Sequence, residues 1–173
     1  MRLDSAIVSL LLALLVYQSP QETIRQHYES AEAQRRTGNL AAAELEYVAI
    51  LGEAYQRLGE IYTAQKDYKR ATRVLESAVG YRPNSSAALI ALAIARFGED
   101  QYDGALEAAR KALVIEPQSA GAHQMLGKTY FMLGDLEKSI AELEAAAKLA
   151  PDDVDVAYTL GIAYLRNRQS AAA

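Results

Sequence analysis

Apolar residues recur at helical spacing along most of the chain, and proline interrupts the pattern at regular intervals. Pro83, Pro117 and Pro151 are spaced by 34 residues. Between successive prolines the apolar positions fall on one face of each of two short helices. Proline cannot donate to a helical ladder, so each one marks the end of a helix pair. The pattern therefore predicts an all-α array of helix–turn–helix units.

Alignment on these prolines sets the unit boundaries. Complete units span residues 52–85, 86–119 and 120–153, with an irregular unit at 20–51 before them and a half unit at 154–173 after them. Small residues at shared positions predict close helix contacts within each unit; they include Ala71, Ala105, Ser139, Ala78, Ala112 and Ala146. The last residue of each complete unit is Ser85, Ser119 or Asp153, which is predicted to cap the following helix.

The irregular first unit lacks the proline that ends the others. Its segment "TGNLAAAELEYVAIL" is followed at once by "GEAYQRLGEIY", the first helix of the next unit. The sequence therefore predicts one helix from about Asn39 to about Gln65, with the second helix of the first unit fused to its successor. Gly52 costs this helix about 1 kcal/mol relative to alanine. A break at Gly52 is the alternative.

The repeated pattern resembles the tetratricopeptide repeat family over roughly residues 24–166. The segment "AGAHQMLGKTYFMLGDLEKSIAELEAAAKLAPDD" carries the family residues Leu126, Gly127, Tyr130, Gly134, Ala146 and Pro151. Ser139 replaces the usual alanine, Arg96 replaces the usual aromatic residue, and tryptophan is absent from the fourth positions. The resemblance implies a right-handed α-solenoid whose concave face, lined by the first helices, binds other proteins.

Composition excludes several kinds of chemistry. The formal charge of −4 gives no basic surface for nucleic acid, and the absence of cysteine removes disulfides, thiolate metal sites and cysteine nucleophiles. No phosphate-binding loop or nucleophile–base motif occurs. We therefore expect no enzyme activity, no cofactor and no metal.

The remaining polar candidates have structural explanations. His27 and His123 are far apart in the array, and His123 occupies a position that usually packs. The acidic group "PDDVD" resembles a helix start more than a calcium loop, because it lacks alternating ligands and a glycine. The segment "GEDQYDG" coincides with the turn between paired helices.

The family resemblance also implies a binding groove formed by six positions of each first helix. Here those positions are mainly apolar, and they lack the cationic clamp with which some members bind chaperone carboxylates. A groove of this kind predicts a protein partner that presents an apolar or amphipathic helix. The predicted groove residues are Ile90, Ala91, Ile94, Phe97, Gln124, Met125, Lys128, Phe131, Met132, Tyr158, Ile162 and Leu165.

The segment Ala6–Tyr17, "AIVSLLLALLVY", is apolar on every side and predicts a short apolar helix within residues 1–19. It is too short to cross a bilayer but has the length of a secretory signal core. Its alternatives are a retained anchor in contact with a membrane, a helix that folds back on the array, or a helix that packs between chains. The inter-chain candidates are Ile7, Leu10, Leu11, Leu14, Leu15 and Tyr164.

Two functional hypotheses follow from these observations. The first is a non-catalytic interaction scaffold, secreted or associated with the cell envelope through bacterial-type export, although a cytoplasmic location stays open. The second is a structural subunit that forms homo-oligomers or filaments head to tail, through its N-terminal helix and the open solenoid end after "AYLRNRQSAAA".

Overall fold

The structure, a computed structural model, describes residues 20–171 of the chain, and these residues contain helices but no strand. The eight helices are α1 (Pro20–Arg36), α2 (Leu40–Ala64), α3 (Tyr68–Tyr81), α4 (Ser86–Gly98), α5 (Tyr102–Ile115), α6 (Ala120–Leu133), α7 (Leu136–Leu149) and α8 (Val154–Ala171). The predicted all-α class is confirmed over this range. The predicted apolar helix within residues 1–19 lies outside the described residues.

The described residues form two compact units, residues 20–53 and 54–171. In the first unit α1 packs against the beginning of α2 through polar contacts. His27 Nδ1 lies 2.6 Å from Glu46 Oε2, and Ser30 Oγ donates to Glu46 Oε1 over 2.7 Å. Tyr47 donates its hydroxyl to Glu32 over 2.6 Å. These bonds join the two helices of the irregular repeat.

Helix α2 runs without a break from Leu40 to Ala64, where the sequence predicted a single helix from about Asn39 to about Gln65. The side chain of Asn39 accepts a hydrogen bond from the backbone N–H of Ala42, at the start of the helix. No proline follows the first half of α2, so the hydrogen-bonded ladder continues through Gly52. The alternative break at Gly52 does not occur.

In the second unit each helix from α3 to α7 contacts the next one along the chain. The first helices of successive repeats also touch, because α4 contacts α6 and α6 contacts α8. The core follows this order: one buried cluster joins α3 to α6, and a second joins α7 to α8 around Leu143 and Val156. This arrangement of neighbour contacts is consistent with the predicted solenoid.

Within each complete repeat the eighth and 24th residues are matched in size. A Cβ on Gly59 would overlap Leu75 Cγ, and a Cβ on Gly127 would lie 2.5 Å from Leu143 Cγ. The intermediate repeat has Ala93 and Ala109 at these positions, and both are fully buried. Glycine is therefore paired with leucine and alanine with alanine, which keeps the packed volume similar from repeat to repeat.

The helix caps agree with the predictions at two of three positions. Ser85 Oγ accepts from the N–H of Ala88 over 3.2 Å, and Asp153 Oδ1 accepts from Asp155 and Val156 over 2.9 and 3.1 Å. The prediction for Ser119 is wrong, because its side chain makes no capping hydrogen bond. Ser119 is instead almost fully buried, at 6 % exposure.

Candidate partner-binding groove

The first helices use one face to hold their own second helices, which leaves another face for binding. Tyr55, a fourth position, stacks on Tyr81 with ring centroids 5.6 Å apart. Gly127, an eighth position, meets Leu143. We use "groove" for the remaining surface, formed by the second, fifth, sixth, ninth, twelfth and thirteenth positions of the first helices α4, α6 and α8 and of the end of α2.

Most of the predicted groove residues reach this surface. Four apolar side chains are clearly exposed: Ile94 at 38 %, Met132 at 51 %, Tyr158 at 68 % and Leu165 at 64 %. The half-buried members are Ile90, Ala91, Phe97, Gln124, Lys128, Phe131 and Ile162. Met125 departs from the prediction, because it is only 6 % exposed and belongs to the main core cluster. Helical position alone did not distinguish this core residue from its groove neighbours.

An apolar pocket of about 280 Å³ lies between the end of α2 and α4. It is lined by Glu60, Thr63, Ala64, Ala91 and Ile94. The three residues from α2 were missing from the sequence prediction, which began the groove with α4. They could have been found by the same rule, since they occupy the ninth, twelfth and thirteenth positions of repeat 52–85.

The groove becomes polar between α6 and α8. Gln124 Nε2 donates to Asp155 Oδ2 over 2.8 Å, and the Lys128 ammonium forms an ion pair with the same carboxylate oxygen. The sequence prediction included Gln124 and Lys128 but missed Asp155, although Asp155 occupies the second position of its repeat and belongs to the groove by the same rule. The cation that could have bound a ligand carboxylate is therefore already neutralised from within the chain.

A second cation is also engaged at this end of the groove. The guanidinium of Arg166, a thirteenth position, lies 5.2 Å from the ring centroid of Phe131. A cation above an aromatic face is attracted by the ring quadrupole. Arg166 was not among the predicted groove residues, although its position in α8 is equivalent to that of Met132 in α6.

The candidates for other chemistry take structural roles. Both histidines contact a glutamate on the next helix, with His123 Nδ1 lying 2.7 Å from Glu142 Oε2. Asp153 caps α8, and Asp100 lies in the turn between α4 and α5. Across residues 20–171 no three His, Asp or Glu side chains are grouped as metal ligands would be. The helices of the same range include none with the length and apolarity needed to span a bilayer.

Of the predicted inter-chain residues, the structure describes only Tyr164. It is 46 % exposed and donates its hydroxyl to Glu144, which raises the pKa of the phenol because the neighbouring carboxylate disfavours the phenolate. The other candidates, Ile7, Leu10, Leu11, Leu14 and Leu15, lie outside the described residues.

Two tetratricopeptide repeat family models match residues 51–120 and 96–160. The chain belongs to the tetratricopeptide repeat family. A similar curated protein is the BBSome complex member BBS4 homolog of Drosophila melanogaster, which is 23 % identical over 156 residues. That match covers 70 % of the present chain and 32 % of the fly protein, so the chain spans about a third of its relative.

Solved tetratricopeptide domains share this fold. The first such domain of human RPAP3 superposes with a TM-score of 0.69 at 17 % identity, covering 72 % of this chain and 98 % of that domain. The first domain of Spaghetti (RPAP3) bound to the HSP90 peptide SRMEEVD gives a TM-score of 0.64 at 19 % identity, with coverages of 71 % and 94 %. At these identities the likeness supports the fold alone.

Proposed function

We propose that this protein is a non-catalytic interaction scaffold that binds a helix of a partner protein in its groove. The observation that carries the proposal is the apolar pocket between α2 and α4, with Ile94 exposed at its edge. Exposed apolar surface of this kind is stabilised when a partner covers it. Members of this repeat family commonly act as protein-binding modules, as the peptide complex of the RPAP3 relative illustrates.

The chemistry of the groove favours an amphipathic helix over an acidic peptide. Aliphatic side chains of a ligand would fill the pocket near Ile94 and pack on Met132 and Leu165. A ligand carboxylate would have to displace Asp155 from Lys128 before it could pair with that lysine. We therefore infer that the partner presents apolar residues at helical spacing.

Selection of peptides from a displayed random library against the full chain tests this proposal. The expected consensus has aliphatic residues spaced by three or four positions, and Ile94→Asp should weaken binding of the selected peptide at least tenfold. Val114→Asp is the matched control, because Val114 is an exposed aliphatic residue on the second helix α5, with 84 % exposure. Equal losses for the two variants would contradict the groove.

The peptide SRMEEVD provides the opposing case. We expect no saturable binding to the wild-type chain, and measurable binding only after Asp155→Asn releases Lys128. Strong wild-type binding that disappears in Lys128→Ala would show that the groove recognises acidic peptides instead. Isothermal titration calorimetry measures both.

The location of the protein remains a separate proposal that rests on Ala6–Tyr17. Export to the envelope or the exterior would use this segment as a signal or anchor. The intact mass of the protein from its native source tests this, since removal of about the first 19 residues would identify a secretory signal. A full-length mass would keep the segment available for packing between chains and for the filament hypothesis.

A further inference from the structure

Glu60 brings a carboxylate to the wall of the apolar pocket between α2 and α4. The side chain is exposed, and one of its oxygens, Oε1, accepts a hydrogen bond from Gln56 Nε2 over 3.0 Å. Within the described part of the chain Glu60 forms no ion pair. An otherwise apolar pocket therefore carries one negative charge that the described chain does not balance.

The amide of Gln56 adds a second acceptor beside this carboxylate. Gln56 is only 9 % exposed, so its position is fixed by the residues packed around it. Its Nε2 is used by Glu60, whereas its Oε1 is buried and has no hydrogen-bond partner among residues 20–171. Buried polar atoms in proteins are normally hydrogen-bonded. The pair thus offers more acceptors than the described chain supplies donors.

The boundary between α6 and α8 shows how the chain itself balances a charge at the same repeat position. The fifth and ninth residues of repeat 120–153 are Gln124 and Lys128, and both donate to the carboxylate of Asp155. Asp155 is the second residue of the following repeat. The counter-ion for a charge at the ninth position therefore comes from the second position of the next first helix.

The boundary between α2 and α4 has the equivalent polar pair but no such counter-ion. Its fifth and ninth residues are Gln56 and Glu60, and the second residue of the following repeat is Ala87, which is exposed. An alanine side chain carries neither a charge nor a hydrogen-bond donor. The carboxylate of Glu60 is therefore open to a cation that a ligand brings.

We propose that Glu60 pairs with a basic side chain, lysine or arginine, of the partner helix that binds in the groove. This inference rests on the proposed function, because it concerns the ligand of the same groove. An ammonium or guanidinium group has several N–H donors, so it can donate both to Glu60 and to the free acceptor of Gln56. Aliphatic residues of the same helix pack on Ala91 and Ile94 in the pocket.

The position of Glu60 also sets the spacing expected in the partner. Glu60 and Ile94 line the same pocket, so the basic residue and the aliphatic residue that they bind are neighbours on the partner helix. Neighbours on a helix surface are three or four positions apart in sequence. The partner is thus an amphipathic helix with a basic residue beside its apolar face.

Peptide selection on two forms of the full chain tests this inference. A displayed random library is selected in parallel against the wild type and against Glu60→Gln, which removes the charge but keeps an oxygen that can accept from Gln56. We expect aliphatic residues at helical spacing in both consensus sequences, and a lysine or arginine beside them only in that of the wild type. A wild-type consensus without the basic residue, or one that Glu60→Gln shares, overturns the inference.

The results of this selection separate the two proposals. An aliphatic consensus that lacks a basic residue contradicts the pairing with Glu60 but supports the groove. If neither form selects aliphatic residues at helical spacing, the groove is not the binding site, and the inference fails with it. Both forms should show the same thermal unfolding midpoint, because the side chain of Glu60 is exposed.

A counter-ion placed within the chain provides the second test. Ala87→Arg should supply to Glu60 the charge that Asp155 supplies to Lys128. It should therefore weaken binding of the peptide selected on the wild type about tenfold in fluorescence anisotropy. Ala87→Gln is the control, since it adds a long polar side chain without charge and should change the affinity less than about twofold. Equal weakening by the two variants, or unchanged binding to Ala87→Arg, overturns the inference.

Discussion

Single residues explain how the repeats tolerate departures from the family pattern. The eleventh residue of each later repeat pairs with the 25th residue of the preceding one. Arg110 Nη2 donates to the Tyr130 hydroxyl over 2.6 Å, and Tyr164 donates to Glu144. Arg96, which replaces the usual aromatic residue, pairs with Glu76 over 3.0 Å. The contact between repeats is therefore kept at Arg96, where it is an ion pair.

The turns between paired helices repeat one unusual backbone conformation. The fifteenth residue of each complete repeat has a positive φ: 60° at Lys66, 58° at Asp100 and 81° at Gly134. This left-handed region is costly for residues that carry a Cβ. The turn geometry is thus common to the complete repeats, one of which meets it with glycine, and Gly38 has a similar φ of 80° in the turn of the irregular first repeat.

Replacing Lys66 by glycine should stabilise the protein. We expect the free energy of unfolding to rise by about 0.5–1 kcal/mol, because the left-handed strain is removed while glycine adds some entropy to the unfolded chain. Urea denaturation measures the change. Arg73→Gly, at an exposed position inside α3, is the control and should lower stability by about 1 kcal/mol. A loss at Lys66 as large as that at Arg73 would contradict the prediction.

At the scale of elements, the second helices α3 and α7 begin with capping carboxylates, whereas α5 follows Gln101, whose side chain makes no capping hydrogen bond. Asp67 accepts from the backbone N–H of Arg70 over 3.1 Å, and Asp135 accepts from that of Lys138 over 3.3 Å. Hydrogen bonds hold the pKa of both carboxyls below the ordinary 3.8; those from Arg70 act on Asp67 and those from Lys138 on Asp135. The start of each helix is therefore linked to the ionised form of its cap.

These caps predict an acid-dependent stability. A carboxyl whose pKa is lower in the folded state stabilises it above pH 3.8 and loses this contribution as the pH falls through the folded value. The double variant Asp67→Asn, Asp135→Asn keeps a capping oxygen but does not titrate. Its unfolding free energy should fall less steeply than that of the wild type below pH 4. Parallel pH profiles of the two proteins would contradict this linkage.

The two helices of repeat 52–85 meet at Gly59 and Leu75, whose sizes are matched. Gly59→Ala should destabilise the protein by about 1–3 kcal/mol, because the new Cβ overlaps Leu75. Leu75→Ala should cost about 2–5 kcal/mol through the cavity it leaves. The double variant reproduces the natural Ala93 and Ala109 pair, so its loss should be smaller than the sum of the single losses. Additive losses in urea denaturation would show that the two positions are uncoupled.

On the scale of the whole molecule, the described helices of the second unit contact only near neighbours along the chain. Contacts join consecutive helices and alternate first helices, so no single core holds residues 54–171 together. Stability in such an array is approximately the sum of the repeats and of their interfaces. The array should therefore open locally from α8, which contacts α6 and α7 and keeps an exposed face.

Amide hydrogen exchange should reveal this order in dilute, monomeric protein. We expect α8 to exchange faster than α4 and α5, because among its described side chains only Val156 and Ala163 are buried, whereas α4 and α5 bury five each. Leu143→Ala, at a fully buried position of α7, should accelerate exchange in α7 and α8 more than in α4 and α5. Uniform acceleration of all the helices would instead indicate that the unit opens as a whole.

The sequence by itself determined the repeat length, the helix pairs and the uninterrupted helix α2. These features depend on local information: proline at regular intervals, its absence after the first repeat, and apolar residues at helical spacing. Two of the three predicted caps followed from the same local signals. The side chain of Ser119 makes no capping hydrogen bond, although that of Ser85 does.

Only the tertiary structure decided which side chains are exposed, buried or paired in the groove and on α8. Met125 and Met132 both occupy predicted groove positions, yet neighbouring helices bury the first and leave the second exposed. Lys128 is neutralised by Asp155 from the next repeat. Gly161 has open space where Gly59 meets leucine. These outcomes depend on side chains from different repeats that meet in space, which residue spacing along one helix does not specify.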